Sequence, residues 1–97
     1  MNVIKLNNAE FQVESYSRNT SFYNEEGTVV SAATCGLITN NLNALNELAA
    51  TTITSIQILH DDNLIYNLEN IDAVIENISE SLSDDRVWVY VNIKFTM

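Results

Sequence analysis

From Val87 to Phe95 the sequence alternates without a break: Val87, Val89, Val91, Ile93 and Phe95 take one phase, and Trp88, Tyr90, Asn92 and Lys94 take the other. A period of two is the side-chain period of a β-strand and does not fit a helical stripe. The apolar phase needs a core beneath it, so the rest of the chain must supply partner strands. The second phase carries two large aromatics, Trp88 and Tyr90. They need cover of their own, from a loop, a helix or another subunit.

Earlier segments supply those partners. Val3 to Leu6 alternates weakly and ends at Asn7-Asn8, a pair that tolerates positive φ, and the strand from Ala9 is expected to fold back on it as a hairpin. In that second strand Phe11, Val13 and Ser15 fall on one face, with Gln12, Glu14 and Tyr16 on the other. Asn24-Glu25-Glu26-Gly27 reads as the next turn, with Gly27 suited to a left-handed position. Thr28 to Ile38 reads as a third strand.

Asn40 or Asn41 can cap a short helix over Leu42 to Ala49 whose apolar face is Leu42, Leu45, Leu48 and Ala49. Thr51 to Leu59 returns to strand, with Ile53, Ser55 and Gln57 opposite Thr54, Ile56 and Ile58. The turn His60-Asp61-Asp62-Asn63 leads into a short strand, Leu64 to Leu68. Asn70 to Leu82 is ambiguous. Ile71, Val74, Ile75, Ile78 and Leu82 fit helical spacing, whereas a bulge near Glu76-Asn77 would let the same residues run as a strand. A turn at Ser83-Asp84-Asp85 favours a hairpin with the closing strand.

Ninety-seven residues, 46% of them apolar, suit one folded domain over 1–97 rather than a disordered chain. The formal net charge is −9, and the four cations, Lys5, Arg18, Arg86 and Lys94, are scattered. Direct binding to nucleic acid or to an anionic membrane is therefore not expected. Eight acids, Asp61, Asp62, Glu69, Asp72, Glu76, Glu80, Asp84 and Asp85, follow one another with no Lys or Arg among them. They form either a solvated face or a surface that docks on a basic partner.

No catalytic or metal-binding pattern is present, and no cofactor is implied. His60 is the only histidine and falls in a turn, where exposure is its simplest state. Two glycines cannot build a phosphate loop, and nothing resembles a nucleophile elbow. Asp61-Asp62-Asn63 has the oxygen-rich character of a calcium loop but lacks its later ligands and glycine. The carboxylate pairs at turns lack the buried pocket a catalytic acid needs. Cys35, the single cysteine, lies in an apolar stretch and reads as a small core residue in a chain made in a cytoplasm.

The opening from Val3-Ile4-Lys5-Leu6-Asn7-Asn8 to Tyr16-Ser17-Arg18-Asn19-Thr20, the Ile53-Thr54-Ser55-Ile56 and Ile65-Tyr66-Asn67-Leu68 segments and the close from Ser79-Glu80-Ser81-Leu82-Ser83-Asp84-Asp85-Arg86 to Val91-Asn92-Ile93-Lys94-Phe95 together resemble small structural proteins of tailed bacteriophage particles. The resemblance is one of style across most of the chain and rests on no diagnostic motif. It implies a compact β domain working in many copies in the head, neck or tail of a virion, against copies of itself or other subunits, with no catalytic residues. It also tips Asn70 to Leu82 towards strand. The expected fold is thus mainly β, an antiparallel sandwich or barrel-like domain with one helix near 42–49; the alternative is α+β with a second helix at 70–82. The expected function is non-enzymatic assembly through β-edges and apolar contacts, the alternative being an acidic protein that inhibits a basic, nucleic-acid-binding host protein. Trp88, Tyr90, Asp72, Glu76 and Glu80 are the candidate interaction residues.

Overall fold

In the computed structural model, which describes residues 1–23, 28–38 and 41–96, the chain is mainly β with one short helix. The strands are β1 (Asn2–Leu6), β2 (Ala9–Tyr23), β3 (Thr28–Ile38), β4 (Ile53–His60), β5 (Asn63–Ser83) and β6 (Arg86–Thr96), and α1 (Leu42–Ala49) lies between β3 and β4. They close into an antiparallel barrel in the order β1-β2-β3-β6-β5-β4. The closing seam pairs β1 with β4, from Asn2 opposite His60 to Leu6 opposite Ile56.

Two strands serve two neighbours in turn. β2 pairs with β1 as far as Gln12 and with β3 from Gln12 to Tyr23. β5 pairs with β4 up to Ala73, then with β6 from Asp72 to Ser83. Each long strand thereby carries the chain around a corner of the barrel, as strands that switch sheets do. The ladder from Asp72 opposite Thr96 to Ser83 opposite Arg86 overturns the helix alternative for 70–82. It also makes the expected strand at Leu64–Leu68 the first part of a longer one. Asn70 takes a φ of 57° inside this strand.

The turns conform to their chemistry. Asp61 and Asp62 both have positive φ, as do Asp84 and Asp85, and each pair forms a two-residue connection. Positive φ at both central positions marks the hairpin turn whose twist matches its strands. Asn7 also has positive φ, and its side chain binds the start of β4. Its carboxamide oxygen accepts from the Thr54 amide at 2.9 Å, and its amide donates to the Thr52 carbonyl at 3.2 Å. The turn expected at Asn24 to Gly27 lies outside the described residues.

Bulges set which side chains face inwards. β2 slips by one residue between Val13 and Ser15, so Val13 faces Leu37 while Tyr16 faces Cys35, and both partners are buried. Tyr16 therefore joins the inner face and Ser15 the outer one, the reverse of a strict alternation from Phe11. β4 slips between Ile53 and Ser55, which lets Ile53, Ile56 and Ile58 all point inwards although strict alternation separates Ile53 from the other two. β5 slips between Ile75 and Asn77, at the bulge read from the sequence.

α1 is capped by Asn41, whose side chain accepts from the Ala44 amide. Eight residues do not hold a helix in water unaided, so docking stabilises it. Leu45 is fully buried, Leu48 nearly so and Leu42 partly; Ala49 is exposed, and Ala44 packs against the core in its place. Cys35 lies in the core, where burial pushes its thiol up to about 12.

Candidate interaction surface

The β5–β6 hairpin runs on past its neighbours. β3 pairs with β6 only as far as Leu37 opposite Val89, but β5 and β6 continue together to Ser83 and Arg86. Their inner-face residues meet the core along most of this length, and Val89, Val91, Ile93 and Phe95 are at most 1% exposed. Beyond Val89 nothing comparable among the described residues covers the inner face. Leu82 and Val87 oppose each other across the hairpin, and they are 76% and 48% exposed. A cross-strand apolar pair stabilises a hairpin, yet this one leaves most of its surface in water.

On the outer face of the same hairpin Trp88 is half-buried and Tyr90 is 39% exposed. Tyr90 pairs with Gly36 on β3 and with Ser79 on β5. A Cβ added at Gly36 would lie 3.7 Å from Tyr90 Cε1 and 2.5 Å from Ser15 Oγ. The glycine thus leaves space beneath the Tyr90 ring that a larger side chain would take. The cover that Trp88 and Tyr90 need is supplied only in part from within the chain.

The acids expected to work with them are dispersed. Asp72 pairs with Thr96, on the outer face one residue from buried Phe95; Glu80 pairs with Val89, on the inner face; Glu76 sits at the bulge between. Asp72 and Glu80 are eight residues apart on one extended strand, a span of roughly 26 Å. Asp72 and Glu80 thus lie on opposite faces of the sheet, with the bulge between them. They are one charge pattern only in the linear sequence.

A second cluster lies towards the other end of the barrel. The Arg18 guanidinium stands over the rings of Tyr66 and Phe95, with its carbon 5.5 Å and 5.9 Å from their centroids. Tyr16 and Tyr66 pack with ring centroids 5.6 Å apart, and their hydroxyls are buried without a hydrogen-bond partner among the described residues. Burial and the neighbouring Tyr66 push the Tyr16 phenol up. Strict alternation hides this cluster, because it turns Tyr16 outwards; an allowance for a bulge at exposed Glu14 would have found it. Stacking a cation on two aromatic faces places Arg18 on the inner side of its strand without a carboxylate.

Among the described residues, no three or more His, Cys, Asp or Glu side chains come together as a group that could hold a metal. His60 is exposed, with Nδ1 2.7 Å from the Asn2 carboxamide oxygen and Nε2 3.4 Å from the Asp61 carboxylate. Asp61 and Asp62, the acids of the calcium-like stretch, are the two left-handed residues of a hairpin turn. No helix among the described residues is long and apolar enough to cross a membrane. No protein-family model, curated protein or solved structure matches the chain.

Proposed function

We propose that this chain is a non-enzymatic assembly protein, a structural subunit of a tailed-phage particle made in the host cytoplasm and built into the virion. The observation that carries this reading is the end of the β5–β6 hairpin, where Leu82 and Val87 form an apolar pair held out past the last β3 rung. Side chains of this kind gain about 1.5–3 kcal/mol each on full burial, and docking against a neighbouring subunit recovers it. The phage-like style of the sequence gives the reading its particular form.

Strand edges add to it. Among the described residues β5 has a ladder only towards β4 from Asn63 to Glu69, and β2 has one only towards β3 beyond Gln12. Leu64 and Ile65, 53% and 63% exposed, lie on the first of these edges. An unpaired backbone edge is a template for strand addition by another chain. The acidic-inhibitor alternative draws no support from the placement of Asp72 and Glu80 on opposite faces.

The test is a double substitution, Leu82→Asp with Val87→Asp, in the full chain. The purified variant keeps its circular dichroism, because both side chains are exposed, and loses incorporation into particles in a complementation assay. Incorporation at the wild-type level would remove the hairpin from the assembly mechanism.

A further inference from the structure

We propose that a hollow on the outer face of β1, β2 and β4 binds a primary ammonium group carried on a short aliphatic chain. The hollow encloses about 220 Å³, and Val3, Lys5, Glu10, Leu59, Asp61 and Asp62 line it together with Met1. The proposal does not rest on the assembly reading.

The floor is apolar where the strand pattern calls for polar residues. Ile4 and Ile58 point into the core, so their neighbours Val3 and Leu59 point outwards, and the β1–β4 register sets those two opposite each other. Leu59 also pairs with Leu64, which is 53% exposed, so an apolar row crosses three strands on the outside of the barrel. Alternating strands put polar side chains on their solvated face, and the core does not account for this row. The next row, Glu10, Lys5, Gln57 and Asn67, is polar and satisfied from within. Lys5 Nζ lies 3.1 Å from Glu10 Oε1, and Gln57 Nε2 donates to Asn67 Oδ1 at 3.3 Å.

The rim leaves one charge open. Lys5 and Glu10 neutralise each other, and Asp61 holds the Met1 ammonium at 2.6 Å with His60 Nε2 at 3.4 Å. Asp62 sits in the β4–β5 turn at a φ of 67° and has no hydrogen bond or ion pair among the described residues. A concave apolar floor with one open carboxylate fits a ligand of opposite charge on an apolar body. At about 30 Å³ for each water-sized group the hollow takes about seven of them, which suits an ammonium on five or six carbons. An anion would be repelled by Asp62, and a neutral chain would gain the floor alone. A lysine side chain carries the same group as a free aliphatic amine.

Titration of the nitrogen-15-labelled full chain with n-pentylamine hydrochloride, followed by amide chemical shifts near neutral pH and at about 20 mM salt, tests this. Saturable shifts are expected at Val3, Lys5, Leu59 and Asp62, with a dissociation constant on the order of 1 mM. Pentan-1-ol, with the same chain and no charge, should bind about threefold more weakly, and pentanoate should produce no shifts at these residues. Asp62→Asn removes the charge and keeps a residue suited to positive φ, so affinity for pentylamine should fall about threefold. Asp85→Asn, the same change in the β5–β6 turn, should leave it unaltered. An amide spectrum unchanged elsewhere shows that each variant is folded. Nα-acetyl-lysine N-methylamide separates the two sources of the group: shifts at the same residues assign the site to lysine side chains of another protein, and binding of pentylamine alone assigns it to free amines. Diffuse shifts that do not saturate, equal binding of pentan-1-ol, or equal affinity in Asp62→Asn would each overturn the proposal, and none of these outcomes touches the hairpin end or the assembly reading.

Discussion

Leu45 and Leu48 on α1, and Leu82 and Val87 on the β5–β6 hairpin, belong to the same end of the barrel, where β3 gives way to the helix and the hairpin turns. The first pair is at most 9% exposed and the second at least 48%. Hydrophobicity does not separate them, since all four are ordinary core residue types. What separates them is the reach of the neighbours: α1 folds onto the end of the core, and the ladder of β3 to β6 stops opposite Val89, two residues short of Val87. The same chemistry therefore stabilises the fold in one place and remains available to a partner in the other.

The comparison breaks first at Leu45. Leu45→Ala should lower stability by about 2–5 kcal/mol, read as the shift of a urea unfolding midpoint, because it opens a cavity under the helix. Leu82→Ala should stay within about 0.5 kcal/mol of wild type in the same titration. Equal losses would mean that the hairpin end is held as firmly as the helix.

Asn7 sharpens the point that the helix end is tied down by more than leucines. Asn7→Ala removes the acceptor for the Thr54 amide and puts a poorly suited residue at positive φ, so a loss of about 1–3 kcal/mol is expected. Asn7→Gly keeps the conformation and lacks the bonds, and by thermal unfolding it should fall between the two. A glycine variant as stable as wild type would show that the turn needs only its φ.

Cys35 reports the smallest effects, because its thiol reacts only when the barrel opens. Burial raises its pKa from 9.0 to about 12, so the unfolded chain loses the thiol proton first. The contribution is fully present below about pH 9 and is lost as the pH rises towards 12, and unfolding midpoints should fall across that window. Cys35→Ser, whose hydroxyl does not titrate in that range, should flatten the slope. At pH 8 thiol labelling should quicken in Leu45→Ala and remain at the wild-type rate in Leu82→Ala.

Much of the fold was legible because its signals are local. Paired turn residues placed the ends of three hairpins, the Asn40-Asn41 pair placed the helix start, and the period of two in β6 was unambiguous. The β5 segment was open because Ile71, Ile75 and Ile78 satisfy both periods, and only the long-range ladder to β6 decides between them. Closure of β1 on β4 joins residues 50 to 58 positions apart, with no local mark. The candidate surface was legible in its aromatics, Trp88 and Tyr90. It was illegible in its acids, because neighbours in sequence alternate faces on a strand and a bulge then shifts the alternation. The exposure of Leu82 and Val87 depends on where the β3 ladder stops, which neither residue encodes.

The slip at Glu14 has a meaning for how this chain can change over generations. Its side chain is exposed, so nearly any residue can stand there at little cost. Removing the position is another matter. Without it, the residues from Ser15 onward would exchange sides, presenting Ser15 and Ser17 to the core and Tyr16 and Arg18 to the outside. Position 14 is thus free in identity and fixed in number: substitutions accumulate there, and a single-codon deletion turns half a strand inside out.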